Sequence, residues 1–209
     1  MKKYVTTCAA IAFAAVSSAA MADVVAFQSN NALSTENLGS FTGTLGWTYL
    51  GGSSGQLTVQ ITNTSLPANG GYLTAFMFRA SATDSLLSSS LITTSDSDFL
   101  NISGGESAPP FPGTWSGGAG LNGDFLGGGS PVPGLGVGAS GTFVFAINST
   151  FVSSISASSF LAGPYDFVVR FRGFQNGGSD KTPGQLVPAP GAIALLGVAG
   201  VLGRRRRRG

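Results

Sequence analysis

The stretch FTGTLGWTYL, from Phe41 to Leu50, decides the fold. Apart from Leu50, its large apolar side chains stand at odd-numbered positions, and threonines fill three of the five even-numbered ones. Alternation of period two, rich in aromatic and β-branched residues, predicts a β-strand with one buried face. Leu57–Thr62 (LTVQIT) repeats the alternation after the glycine- and serine-rich stretch Gly51–Gly55. The two stretches are therefore predicted to pair as a β-hairpin.

Further strand signals follow between turn-forming residues. They are Tyr72–Arg79, with bulk on both faces, and Leu91–Thr94, Thr142–Asn148 and Tyr165–Phe174. Ser156–Leu161 is expected to be a short helix or turn, and Ala108–Gly141 a long loop region with short strands that cannot be placed. Because no stretch has a sustained helical period, the sequence predicts an all-β fold, an antiparallel β-sandwich that is jelly-roll-like.

The same alternation predicts the core. The side chains expected to be buried between two sheets are Phe41, Trp47, Val59, Phe76, Phe145, Phe167, Val169 and Phe171. Four apolar residues of the long loop region are expected to pack over one end of that core: Phe111, Trp115, Phe125 and Leu126.

The N-terminus has the pattern of an export signal. Lys2 and Lys3 precede the apolar stretch Cys8–Val16, and Ala20 and Ala22 form an A-x-A cleavage site. Residues 1–22 are therefore predicted to be a signal peptide, read by the Sec export machinery, and the mature chain is expected to begin at Asp23.

The C-terminus combines three elements in a fixed order. A proline-containing motif comes first, and each proline favours an extended backbone. The motif residues are Val187, Pro188, Ala189, Pro190 and Gly191. The uncharged apolar segment 192–203 follows. A basic block next to such a segment indicates a membrane span, because the block stays on the cytoplasmic side and stops further translocation. That block, within residues 204–209, consists of Arg204, Arg205, Arg206, Arg207 and Arg208. The body is accordingly predicted at 23–183 and a linker at 184–191.

This tail resembles the PEP-CTERM sorting signal of Gram-negative bacteria, although Ala189 stands where that family usually has glutamate between the prolines. The resemblance implies recognition and cleavage by a membrane-embedded exosortase, with Val187–Gly191 as the processing motif. Three stretches of the body also resemble one group of PEP-CTERM-bearing exported proteins: Leu57–Ser65, Gly70–Phe78 and Val168–Lys181. We know of no biochemical activity for that group.

Composition narrows the chemistry of the body. Residues 23–183 contain all nine acidic side chains but only four basic ones, a net charge of −5, which argues against a nucleic-acid partner. The sequence has no histidine, which excludes Ser-His-Asp sites and histidine-bound zinc. The single cysteine, Cys8, lies in the predicted signal peptide. The sequence therefore indicates neither a cofactor nor a metal.

Some weaker site candidates remain. A carboxylate pair for glycoside hydrolysis could come from Asp84, Asp96, Asp98, Glu106 and Asp124, although their spacing singles out no pair. Ser95–Asp98 offers oxygen ligands for Ca²⁺, but turn-forming residues are the simpler interpretation. Asp166, Arg170 and Arg172 are predicted to share a strand face, where they could grip an anion or form a solvated surface. Asn63, Asn101 and Asn148 begin N-x-S/T patterns, and Trp115 could stack on a sugar.

Together these features predict an exported protein of the cell surface or extracellular matrix, held first in the inner membrane and then processed, without catalytic activity. A carbohydrate-binding module of the same fold, with a polysaccharide partner, is the alternative. A carboxylate-based glycoside hydrolase is the third hypothesis. Paired aromatic residues in a groove would favour the binding module, and two converging carboxylates would favour the hydrolase.

Overall fold

The computed structural model describes residues 23–80 and 87–188, which contain ten β-strands and three 3₁₀ turns. The strands are β1 Asp23–Ser29, β2 Phe41–Gly51, β3 Ser54–Asn63, β4 Gly70–Phe78, β5 Ser88–Thr94, β6 Phe99–Ile102, β7 Gly117–Leu121, β8 Ser140–Asn148, β9 Phe167–Phe174 and β10 Ser179–Leu186. The 3₁₀ turns are Asn31–Leu33, Val152–Ser154 and Ala157–Leu161. The last of these confirms the short helix or turn expected at Ser156–Leu161.

All ten strands form one antiparallel sheet, in the order β5-β8-β3-β2-β1-β10-β9-β4-β7-β6. β10 is the junction, because Ser179–Pro183 pairs with β9 whereas Gly184–Leu186 pairs with β1. The sheet curls until its two edges meet. There Leu91 N donates to Asn101 Oδ1 (2.7 Å), and Ser89 Oγ donates to Ser116 O (3.0 Å).

The curled sheet presents two layers to each other. The first layer is β5-β8-β3-β2-β1 and the second is β10-β9-β4-β7-β6, and phenylalanine rings fill the space between them. Rings from opposite layers meet in edge-to-face contacts, with centroids 4.8 Å apart for Phe78 and Phe145 and 4.9 Å apart for Phe76 and Phe143. The all-β antiparallel class is thus confirmed, but the predicted two sheets are halves of one sheet.

The predicted core residues are confirmed. All eight are buried, the most exposed being Trp47 at 4%. The period-two argument succeeds here because a strand with one face on the core must bury every second side chain.

A second apolar cluster lies on the outer side of the second layer. Its residues are Ala75, Met77, Ile102, Ala108, Phe111, Trp115, Phe125 and Val168. They come from β4, whose expected burial on both faces is thereby confirmed, from β6 and β9, and from residues 106–116 and 122–131. We name these two stretches, which flank β7, the covering segment. Three of the four loop residues expected to pack are buried in it, whereas Leu126 is exposed.

Four strands, β1, β6, β7 and β10, lie where the sequence located none, although short strands were expected in the region of β7. β7 (GGAGL) falls inside the predicted loop region, and its glycines permit close packing: a Cβ on Gly118 would lie 2.1 Å from the Phe76 carbonyl oxygen. β10 extends into the linker predicted at 184–191, so the end of the body is corrected from residue 183 to Leu186. Its Pro183 is tolerated because it stands where pairing passes from β9 to β1.

Within residues 23–80 and 87–188, no helix has the length and apolar character needed to cross a membrane. The predicted signal peptide 1–22, the span 192–203, and the arginine block lie outside the described residues. So do Ala189, Pro190 and Gly191 of the motif, whereas Val187 and Pro188 are described and exposed.

Candidate functional site

All four basic side chains of the body donate to main-chain carbonyls of the covering segment. Lys181 donates to Pro109 O, and Arg79 donates to Pro112 O and Thr114 O. The remaining two cations bind the glycine-rich end of the same segment, as described next. Cations of the second layer therefore hold an irregular backbone against the sheet, which satisfies carbonyls that no strand partner could reach.

Arg170 and Arg172 stand side by side on the outer face of β9. Arg170 Nη1 donates to Phe125 O (2.8 Å) and Gly127 O (3.0 Å). Arg172 donates to the carbonyls of Gly127 (3.1 Å), Gly128 (3.1 Å) and Gly129 (2.7 Å). Burial, and then the charge of Arg172, lowers the pKa of Arg170. The predicted face of these two residues is therefore covered by backbone, and it is not a solvated surface.

Asp166 does not join that pair. It precedes β9, is buried, and forms an ion pair with Arg79 Nε at 3.0 Å. The Arg79 guanidinium also lies 4.9 Å from the centre of the Trp115 ring, a cation–π contact. Trp115 is 1% exposed and its Nε1 donates to Tyr165 O, so this ring is packed and cannot stack on a sugar. The three residues predicted to grip an anion thus serve two separate structural contacts.

Asp180 on β10 is a second buried carboxylate, and sequence reasoning missed it. Its oxygens accept the backbone N–H groups of Glu36 (3.0 Å), Leu38 (2.8 Å) and Gly39 (2.8 Å), and the hydroxyls of Ser34 and Thr35. Burial by itself would raise the pKa of Asp180, but these donors outweigh it and hold the pKa below its ordinary value. The carboxylate anchors the β1–β2 connection to the sheet.

Several of the other predicted candidates also have structural contacts. Asp96 Oδ1 accepts the N–H of Asp98 in the β5–β6 turn, which agrees with the turn interpretation of Ser95–Asp98. Asp124 Oδ1 accepts the N–H of Leu126 in a similar turn. Asn63 is buried and donates to two carbonyls, those of Gly71 and Leu135. Asp84 lies outside the described residues, and within them no group of three His, Cys, Asp or Glu residues is placed to hold a metal ion.

The outer face of the first layer has a different character. Two shallow depressions of about 250 Å³ and about 380 Å³ share Thr44 and Gln60 and form one trough across β1, β2, β3 and β8. We name it the hydroxyl trough. Its polar lining consists of Thr42, Thr44, Thr48, Thr58, Gln60, Thr62, Ser140 and Thr142. No charged or aromatic side chain lines it.

Sequence reasoning assigned these threonines to the outward face but did not recognise a site. The signal available was the row of outward-facing threonines, a residue type that is common in β-strands and therefore does not by itself indicate a site. Neighbouring strands then align those groups: Thr44 Oγ1 donates to Gln60 Oε1 (3.1 Å), and the Thr62 and Ser140 hydroxyls lie 2.7 Å apart. The trough therefore presents a row of hydroxyl and amide groups from neighbouring strands on one exposed face.

No protein-family model matches this chain, and no curated protein or solved structure is significantly similar to it.

Proposed function

We propose that this chain is an exported protein of the cell surface or extracellular matrix, sorted and processed through its C-terminal tail, and without catalytic activity. In this proposal the Sec machinery exports it, the inner membrane holds its tail, and a membrane-embedded, exosortase-like enzyme acts on Val187–Gly191. The body would be the cargo, a sandwich-like unit of two facing layers that is jelly-roll-like in outline.

One observation carries the proposal: both predicted sorting signals adjoin the folded sheet. β1 begins at Asp23, the residue after the predicted signal cleavage site. At the other end β10 stops at Leu186, and the N–H of Val187 still donates to Ala26 O (3.0 Å). Removal of residues 1–22 and of the chain after Pro188 would therefore leave the ten described strands intact, as expected of a cargo built to be trimmed.

Intact-mass measurement on protein from the native host tests the processing. We expect a chain that starts at Asp23 and ends close to Pro188, because the paired strands on either side limit access further in. A chain truncated genetically after Val187 gives the reference mass and shows whether the body is exported without its tail. A mature mass that still includes the five arginines would contradict cleavage, while leaving anchoring intact.

The hydroxyl trough supports a second candidate function, the binding of a neutral polysaccharide. Hydroxyl and amide groups exchange hydrogen bonds with sugar hydroxyls, and the acidic body would repel an anionic polymer. The trough is open and shallow, as a surface for a long polymer must be. It lacks the aromatic platforms of many sugar sites, so this candidate stands second.

Gly46 allows this candidate to be tested without disturbing the fold. A Cβ added there would lie 3.7 Å from the Thr58 Cβ and 3.8 Å from Val24 Cγ2, which are ordinary contacts, and it would enter the trough. We expect Gly46→Val to weaken retention in gels that contain dextran or the host's own extracellular polysaccharide by about tenfold, or 1.4 kcal/mol. Leu66→Val, an exposed change elsewhere, is the control. Equal retention of both variants would rule out the trough as the binding surface.

A further inference from the structure

The chain leaves the body in a defined direction. β2 and β10 are both antiparallel to β1, so they run the same way. β2 ends at the hairpin turn that leads into β3, and the chain leaving β10 therefore heads toward that turn. We name this end of the body the hairpin pole, formed by Tyr49–Ser54 and by Phe151, which is close because Ser149 N donates to Ser53 O (3.0 Å).

The hairpin pole exposes large apolar side chains. Leu50 is 61% exposed, Phe151 48% and Tyr49 43%. Single exposed apolar residues are normal on protein surfaces, but here an aliphatic side chain and two aromatic rings lie at one end of the body, at the β2–β3 turn and in the adjacent loop after β8. Aromatic rings with a polar tip, such as tyrosine, and neighbouring apolar groups are the side chains that favour a membrane–water interface.

The length of chain beyond the sheet limits how far this pole can lie from a membrane that holds the tail. Val187 lies level with Ala26, which pairs with Thr44, and the path along β2 from Thr44 to Leu50 is about 20 Å. The predicted membrane segment starts at Ala192, and residues 188–192 can span at most about 18 Å. A tail inserted from Ala192 onward therefore leaves no gap between the bilayer and the hairpin pole.

We propose that, while the tail is in the membrane, the body docks on the same bilayer through Tyr49, Leu50 and Phe151, which enter the headgroup region. This inference rests on the proposed function, because it needs the tail to be inserted. Docking would hold the motif at a fixed height above the lipid, where an enzyme within the membrane can reach it.

A fluorescent label that reports lipid contact tests the docking. The full chain, with Cys8→Ser, receives a single labelled cysteine through Leu50→Cys and is reconstituted into phosphatidylcholine vesicles that contain a spin-labelled phosphatidylcholine. Leu66→Cys provides the matched control, since Leu66 is 66% exposed and follows β3 at the opposite end of the body. We expect the label at position 50 to be quenched several-fold more strongly than the label at position 66.

Flotation of the same vesicles separates the two proposals. If the chain floats and a chain ended after Val187 does not, the tail is the anchor, and equal quenching at positions 50 and 66 then overturns docking alone. If the full chain fails to float, anchoring fails and docking fails with it. If the label at position 50 is protected from water to the same extent with and without vesicles, a second copy of the chain covers this pole. That outcome also overturns docking on lipid.

Discussion

We expect the Asp180→Asn substitution to destabilise the body, because this carboxylate collects more donors than an amide can satisfy. Oδ2 accepts the N–H groups of Leu38 and Gly39, and Oδ1 accepts the N–H of Glu36. An asparagine offers one carbonyl oxygen, and its NH₂ group must face the donors on the other side. The β1–β2 connection is held to β10 by further hydrogen bonds, such as that from Thr35 N to Lys181 O (3.0 Å), which restrict any rotation that would turn these N–H groups away.

The size of the effect follows from these contacts. In the better amide orientation the asparagine carbonyl still accepts the N–H groups of Leu38 and Gly39. The N–H of Glu36 then loses its acceptor, which costs about 1–3 kcal/mol of stability. The two retained bonds also change from charge-assisted to neutral, which weakens each by about 1 kcal/mol. The amide is easier to desolvate than the carboxylate, which offsets part of the loss. We therefore expect a decrease of about 2–4 kcal/mol in the free energy of unfolding.

Urea unfolding at neutral pH measures this decrease, with Asp98→Asn as the control because Asp98 is exposed in a turn. The pH dependence provides a second measurement. The pKa of Asp180 in the folded protein lies below its ordinary value of 3.8. The stabilisation from the ionised carboxylate is therefore complete well above pH 3.8 and is lost as the pH falls toward the pKa of the folded protein. The difference between wild type and Asp180→Asn should therefore shrink below about pH 4. A midpoint for Asp180→Asn equal to that of Asp98→Asn would refute the reasoning.

Three other predictions concern the core, the covering segment and the tail. Phe145→Ala should lower the free energy of unfolding by about 3–5 kcal/mol, because the ring is fully buried. An unchanged urea midpoint would contradict the assignment of Phe145 to the buried face of β8. Arg172→Met should speed amide hydrogen exchange in residues 126–130 while lowering the free energy of global unfolding by only about 1–2 kcal/mol. Unaltered exchange would argue that Arg172 does not hold this part of the covering segment. Replacing Arg204–Arg208 by serine should release unprocessed precursor from the membrane or slow its processing, whereas replacement by lysine should preserve retention, because charge opposes translocation. Fractionation of the host measures the last pair, and failure of the lysine version would indicate a protein that reads arginine itself.

Local physical rules were sufficient for the strands with one face on the core. In Phe41–Leu50 and Thr142–Asn148 the burial of alternate side chains imposes a period of two that is visible in the sequence itself. The same rule located the buried phenylalanines, because their position within a strand determines which layer face they occupy. Those residues could be predicted without knowledge of strand order.

Four strands, β1, β6, β7 and β10, were not located by the prediction, and β7 and β10 show that they depend on partners distant in sequence. Nothing in GGAGL favours an extended strand locally, and β7 forms because β4 and β6 supply its hydrogen bonds and leave no space for larger side chains. Pro183 argues against a central strand until the change of partner within β10 is known. The contacts of the cations are likewise tertiary, since a charge pattern does not show which carbonyls will lack strand partners.

The sequence by itself determined the all-β class, the buried faces and the predicted order of signal, body and tail, because each follows from short-range periodicity or composition. Only the tertiary structure decided that β10 joins two layers into one sheet, that Asp166 turns to Arg79 while Asp180 holds the β1–β2 connection, and that the threonines form a trough. These outcomes depend on which distant strands become neighbours, and strand pairing is settled by the free energy of the whole packed sheet.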